Sequence, residues 1–204
     1  MFLKKSCIYN ILIQSLALLV FIPGRFAYAL LILLAYNFFI LTGTLIRKLI
    51  LILHLEELQI PISVSTVITS AILFKQFLNL YSPLSSFVLS FALYIAATCS
   101  FIVTKLYIPE IDSLKKELTA NFTSAGSFTV FGLCFALFRD IFGYGTVSFP
   151  CPSGIFELVI SRSTAYASGI FWASIPGAVI MLAVTILVYS LIYDKFIILK
   201  KVED

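Results

Sequence analysis

Apolar residues run through this chain in long uninterrupted blocks, and polar residues gather between them. Six blocks stand out: residues 8–22, 26–46, 62–81, 84–103, 122–142 and 170–193. A helix needs about 20 apolar residues to cross the hydrocarbon of a bilayer. Five blocks reach that length. The first is shorter and ends at Pro23-Gly24, which makes it a candidate half-helix. Lys4, Lys5 and the apolar stretch before Ala27-Tyr28-Ala29 have the outline of a cleavable signal. Arg25 in the would-be cleavage region, and the apolar run that restarts at Leu30, favour an uncleaved first segment instead.

The pattern therefore predicts an all-α membrane protein, a single domain over residues 1–204. Six segments divide as three plus three. An odd number per half inverts the second half relative to the first, so the expectation is two inverted three-helix repeats, about 8–81 and 84–194. The first and fourth helices are the candidates for half or broken helices. Segment 106–121 reads as a solvated connection. Segment 143–169, rich in Gly, Ser and Pro, reads as an external loop whose Phe149-Pro150-Cys151-Pro152-Ser153-Gly154 is turn chemistry.

Composition strengthens this picture. The chain is 61% apolar and 12% charged, with mean hydropathy +1.07, against about 45–50% and about 25% in soluble domains. A soluble enzyme, a disordered tail and a nucleic-acid-binding domain are excluded on that ground. The net charge is only +4, but its placement matters. Lys4, Lys5, Arg47, Lys48, Lys105, Lys115, Lys116, Lys195, Lys200 and Lys201 fall on one side of six crossings. Arg25, Lys75, Arg139 and Arg162 fall on the other. The positive-inside rule then puts both termini in the cytoplasm. Lys75, late in the third segment, can snorkel to the interface. The sequon Asn121-Phe122-Thr123 falls on the cytoplasmic side and is discounted.

Candidate chemistry is sparse. Cys7, Cys99, Cys134 and Cys151 have no CxxC spacing, which excludes a zinc ribbon or a ferredoxin-type run within the chain. All ten Asp and Glu residues lie at or outside segment ends, whereas a pump with its own ion site would keep an ionisable group at depth. Arg139 and Asp140 could line an ion path or meet a neighbouring subunit; the plainer reading is a charged helix end at the interface. His54, beside Glu56 and Glu57, reads as interfacial. Runs such as Ser63-Val64-Ser65-Thr66 and Ala96-Ala97-Thr98 fit close helix–helix contact.

Several patterns carry a resemblance. Phe138-Arg139-Asp140 followed by Gly143, Gly145 and Thr146 is similar to an L-R-E-x-x-G-x-G-T pattern leaving a helix. Pro176-Gly177 matches a Pro-Gly that opens a last helix. The stretch from Glu57 through Ile60-Pro61-Ile62 to Val64 is similar to E-x-x-I-P-I-x-V before a third helix. Together, in this order, they resemble the membrane subunits of Rnf electron-transport complexes and Nqr sodium-pumping quinone reductases, of the RnfE/NqrD type.

The resemblance implies two inverted three-helix repeats. It also implies a [2Fe–2S] cluster held between two homologous subunits of opposite orientation, with two cysteines from each. Cys99, in Ala97-Thr98-Cys99, falls on the second-repeat cysteine and is the candidate cofactor-binding and metal residue. The first-repeat cysteine falls on Leu19, with Val20 in place of the following proline. Leucine cannot ligate iron, so the second ligand is lacking and no catalytic residue is assigned.

The expectation is an integral membrane subunit of an ion-translocating electron-transport complex in a bacterial cytoplasmic (inner) membrane, either an electron conduit or, with the cluster lost, a scaffold. Its partners would be the homologous subunit, the other complex subunits and lipid. The alternative is the six-helix substrate-binding component of a vitamin uptake transporter, with loop 143–169 and Trp172 contributing to a pocket.

Overall fold

The computed structural model describes residues 18–106, 114–160 and 167–203. It is mostly helical. After a turn at 18–21 the elements are α1 (Phe26–Ile52), a 3-10 turn (Glu56–Leu58), α2 (Gln59–Tyr81), α3 (Pro83–Leu106) and α4 (Leu114–Tyr144). A hairpin of β1 (Thr146–Cys151) and β2 (Gly154–Val159) follows, then α5 (Ala167–Ala173) and α6 (Ile175–Glu203). Among the described residues four helices are long and apolar enough to cross a membrane: α1, α2, α3 and α4. The apolar part of α6 spans Ile175–Val188. Most of the first apolar block, residues 8–17, lies outside the described residues.

Helix α1 is the axis of the bundle. Its sequence is apolar nearly all round, the pattern of a helix surrounded by others, and it packs against α2, α3, α4 and β1. Tyr36, Phe39, Phe128 and Leu93 are fully buried in the core around it. Tyr36 meets Phe128 of α4 edge-on, with ring centroids 5.2 Å apart, a favoured aromatic geometry.

Helices α1 and α4 run antiparallel and are joined at several levels by polar groups. Asn37 Nδ2 donates to Thr129 Oγ1 at 2.7 Å. Asn121 Nδ2 donates to Thr44 Oγ1 at 2.8 Å. At the far end, Lys48 Nζ and Arg47 lie 3.0 and 3.5 Å from the Glu117 carboxylate. Glu117 is fully buried. The segment expected as a solvated connection is thus partly helix, and residues 107–113 of it lie outside the described residues. The sequon asparagine is buried between helices.

Two further expectations are corrected. The fourth segment is not broken: α3 runs continuously through Cys99. It has no Gly or Pro after Pro83, which sits in the first turn where proline is tolerated, and Ser82 caps it by accepting from Ser85 N at 3.4 Å. The break falls in the sixth segment, at Ser174. Pro176 follows there, Ser174 O accepts Ala178 N at 3.0 Å to start α6, and its hydroxyl accepts Gly177 N at 3.5 Å.

The loop expected to be external is also more ordered than its composition implies. It holds an antiparallel hairpin with Thr146 opposite Val159 and Cys151 opposite Gly154. Pro152-Ser153 makes the turn, and Gly154 supplies the left-handed backbone at φ +128. An isolated two-stranded hairpin is marginal in water. This one is anchored by Phe149 packing edge-on against Phe26 of α1, with ring centroids 5.8 Å apart.

Candidate functional site

The last turn of α4 carries Arg139 and Asp140, and both are buried, at 2% and 0% exposure. The reading of an ordinary interfacial helix end is therefore corrected. Arg139 Nη1 donates to Leu19 O at 3.1 Å and Ile22 O at 2.9 Å. Its Nη2 donates to Ala173 O at 2.8 Å. These carbonyls close the turn before α1 and the end of α5. Carbonyls at helix ends lack partners and carry partial negative charge, so one guanidinium satisfies two chain ends that would otherwise be orphaned.

Asp140 does the opposite with donors. Its carboxylate accepts Phe26 N at 3.1 Å, Ser148 N at 2.7 Å, Thr146 Oγ1 at 3.0 Å and the Ser148 hydroxyl. Ser148 Oγ in turn accepts Ala27 N at 3.1 Å. Asp140 and Ser148 together cap the first turn of α1, where a negative charge meets the positive end of the helix dipole. Each buried charge thus sits on the helix end its sign requires.

A half-exposed rim surrounds this hub. Arg25 pairs with Glu157 of β2 at 2.8 Å. It donates to Thr146 Oγ1 at 3.3 Å, and its guanidinium lies 3.9 Å above the centroid of the Tyr144 ring. Close approach depends on missing side chains. A Cβ at Gly24 would lie 2.7 Å from Ala173 O, and one at Gly143 would lie 2.8 Å from Ala173 Cβ. Those two glycines let the end of α5 reach Arg139.

The motif residues Arg139, Asp140, Gly143, Gly145 and Thr146 all lie in or beside this hub, and Pro176-Gly177 opens the helix that follows Ala173. Gly145 has φ +68 and ends α4, donating its N–H to Ile141 O at 2.9 Å. The Ser148 and Thr146 hydroxyls that donate to Asp140 are buried with it, at 0% and 6% exposure. The hub's chemistry is cross-linking of chain segments.

The candidate cofactor residue lies elsewhere. Cys99 of α3 is a free thiol at 6% exposure. Leu19 is buried at 1%, on the side of the core formed by Leu33 and Gly132. Cys134 faces outward on α4, and Cys151 sits half-buried at the hairpin tip. Cys7 lies outside the described residues. Among the described residues no three metal-ligating side chains come together. Of the two positions at which the resemblance implies thiolates, one holds Cys99 and the other Leu19.

At the hairpin tip the Ser153 hydroxyl donates to Cys151 Sγ at 3.5 Å. The side-chain and backbone hydrogen bonds from Ser153 hold this thiol below its ordinary value. His54 is exposed in the turn after α1, at φ +53, and shares a shallow groove with Glu57; among the described residues they belong to no set of three metal-ligating side chains.

Sequence reasoning missed the buried role of Asp140 and the polar ladder between α1 and α4. A signal existed for the ladder: Asn37 and Thr44 lie seven apart in an otherwise apolar block, on one helix face. Against known proteins, no family model, no curated protein and no solved structure gives a significant match to this chain.

Proposed function

We propose that this chain is an integral membrane subunit of an Rnf/Nqr-like ion-translocating electron-transport complex, acting as a scaffold in a bacterial cytoplasmic membrane. In this reading residues 8–22 and α6 complete six crossings, the two halves form inverted repeats, and both termini face the cytoplasm. The chain catalyses nothing by itself and pairs with a homologous subunit of opposite orientation.

One observation carries the reading. Two of the three motifs on which the resemblance rests, Arg139 to Thr146 and Pro176-Gly177, lie at one hub, the first touching Ala173 three residues before Pro176; the third, Glu57 to Val64, lies at the start of α2. Arg139 reaches Ala173 O, Asp140 reaches Thr146, and Gly143 packs on Ala173. A motif that closes the hub has a physical reason for its residue types and their spacing. The scaffold form follows from the sequence: Leu19 stands where the resemblance implies the second cluster cysteine, and leucine cannot ligate iron.

The test is purification of the tagged chain from its native membranes. Further membrane subunits of a redox complex should co-purify, and iron content per complex should be the same for wild type and Cys99→Ala. Loss of an iron–sulfur resonance in Cys99→Ala would replace the scaffold with an electron conduit. Isolation of the chain alone, or with a pair of ATPases, would overturn the reading; the ATPase pair would point to the vitamin-uptake class.

A further inference from the structure

Helix α2 is the most exposed of the four membrane-length helices, yet it does not present a purely apolar face. Lys75, Gln76 and Asn79 recur at helical spacing on one side of it. Across a groove of about 620 Å³ they face Ser86, Ser90 and Tyr94 of α3. The two helices are joined only through Ser82, so this groove is the open side of a tight antiparallel pair.

Depth makes the groove unusual. The midpoint of α2 is Ser70. At about 1.5 Å per residue, Lys75 lies about 7.5 Å beyond it, Gln76 about 9 Å and Asn79 about 13.5 Å. The hydrocarbon extends about 15 Å from the midplane. With α2 centred in the bilayer, all three polar groups fall at hydrocarbon depth. A long lysine can lift its ammonium toward the headgroups; the shorter amide of Gln76 cannot reach that far. The side chains of Lys75, Gln76 and Asn79 have no ion pair or hydrogen bond among the described residues. Polar groups left to lipid in this way are unfavourable, and in membrane bundles they face other helices.

The same face continues inward with small hydroxyl residues. Thr69 and Thr98 are exposed, and each donates its hydroxyl back to its own helix, to Ser65 O at 2.8 Å and Tyr94 O at 2.8 Å. They leave a surface that a neighbouring helix can approach closely. A lipid headgroup would account for Lys75 but not for a polar stripe reaching the other half of the span.

We infer that the α2–α3 groove is the docking site for a transmembrane helix of a different subunit, one that presents a carboxylate to Lys75 and amide-compatible groups to Gln76 and Asn79. A second copy of this chain does not fit. The acidic residues within α1 to α4 are Glu117 and Asp140, both buried and engaged with partners, and residues 175–188 carry none. The inference rests on the membrane-subunit reading for its bilayer, and not on the electron-transport assignment.

The test uses the full chain in native membranes, with a photo-crosslinking amino acid in place of Gln76 or Ser90 and a control at Val130, which is exposed on α4. Ultraviolet light should give one adduct at the groove positions and not at Val130. Mass spectrometry should place the crosslink in an apolar peptide containing Asp or Glu. Lys75→Glu should lower the adduct yield about tenfold, and Lys75→Arg should keep it. Crosslinks only to lipid, to a second copy or to an acid-free helix, or no adduct at all, would overturn the docking site. So would the same adduct at Val130, or a yield indifferent to Lys75→Glu. An acidic partner helix from a protein unrelated to redox complexes would keep the docking site and remove the proposed function. Co-purification of a redox complex without the groove adduct would do the reverse.

Discussion

Two regions of this bundle bury charge, and they do it differently. At the hairpin end, Arg139 and Asp140 meet their partners through directed hydrogen bonds to backbone groups and hydroxyls from several parts of the chain. At the opposite end, Glu117 faces Arg47 and Lys48 through ion pairs between two helices. The first arrangement satisfies groups that exist whatever the side chains are, because helix ends always leave unpaired N–H and C=O groups. The second satisfies only the charges themselves. A hub of the first kind fixes topology, and a pair of the second kind adjusts how two helices meet.

The most severe way to break that contrast is Asp140→Ala. It strips the cap from α1 and leaves buried donors on β1 unpaired. The expected loss is about 3–5 kcal/mol, the range for removing one partner of a buried charged network. It is read as a lowered unfolding midpoint in detergent and a lower membrane-inserted level. A shift no larger than that of Val130→Ala would show that the hub does not hold the fold.

Arg139→Lys is the next largest at this end. Charge is kept, but an ammonium cannot span the Leu19 and Ile22 carbonyls on one side and Ala173 O on the other. About 2–3 kcal/mol should be lost, corresponding to one or two charged hydrogen bonds. Gly143→Ala then drives a methyl against Ala173 and should destabilise by about 1–2 kcal/mol. Ala173→Gly in the same chain should recover part of that loss. A double variant as unstable as the sum of the two singles would separate Gly143 from the α5 contact.

These effects concern what the sequence showed least well. Long apolar blocks announced the membrane class because a crossing helix needs length and little else. The third block was expected over 62–81 and α2 is Gln59–Tyr81; the fourth was expected over 84–103 and α3 is Pro83–Leu106. Hydropathy is a local quantity, however. It placed Arg139 and Asp140 at an interface because they close an apolar block. It carried no sign that carbonyls more than a hundred residues away, at Leu19 and Ile22, would meet the guanidinium. The hairpin was hidden by a composition of Gly, Ser and Pro, although the Val147, Phe149, Ile155 and Phe156 around Pro152-Ser153 have strand character. Cys99 was placed in a helix rightly, but whether a second thiol joins it depends on chain packing that no spacing encodes.

Glu117→Gln tests the other end of the comparison. The amide keeps the shape and removes the charge that faces Arg47 and Lys48. The expected loss is about 3 kcal/mol, the low end for breaking a buried ion pair, because Glu117 is fully buried and the Arg47 and Lys48 side chains are only 9% and 12% exposed. Salt should shrink the gap between wild type and this variant only modestly, because a buried ion pair is screened much less than an exposed one. The Asp140→Ala gap should hold steady under the same salt. Equal salt dependence at both ends would erase the distinction between them.

The smallest effect on stability, and the sharpest on orientation, comes from Cys151. The hairpin end carries this thiol, and hydrogen bonds from Ser153 hold it below its ordinary value. A lowered value means more thiolate near neutral pH, and the thiolate is the form that reacts. Ser153→Ala removes the side-chain donor, so the thiol rises toward its ordinary value and the thiolate fraction at neutral pH falls. Alkylation by a membrane-impermeant maleimide should then be slower near pH 7, with the rate curve displaced to higher pH and the unfolding midpoint unchanged. In the proposed orientation, in which the positive-inside count assigns the hairpin end to the external face, the same reagent should label Cys151 in intact cells before lysis. Labelling only after lysis would reverse the two ends, leaving Arg47, Lys48 and Glu117 outside and requiring an odd number of crossings or an inverted insertion.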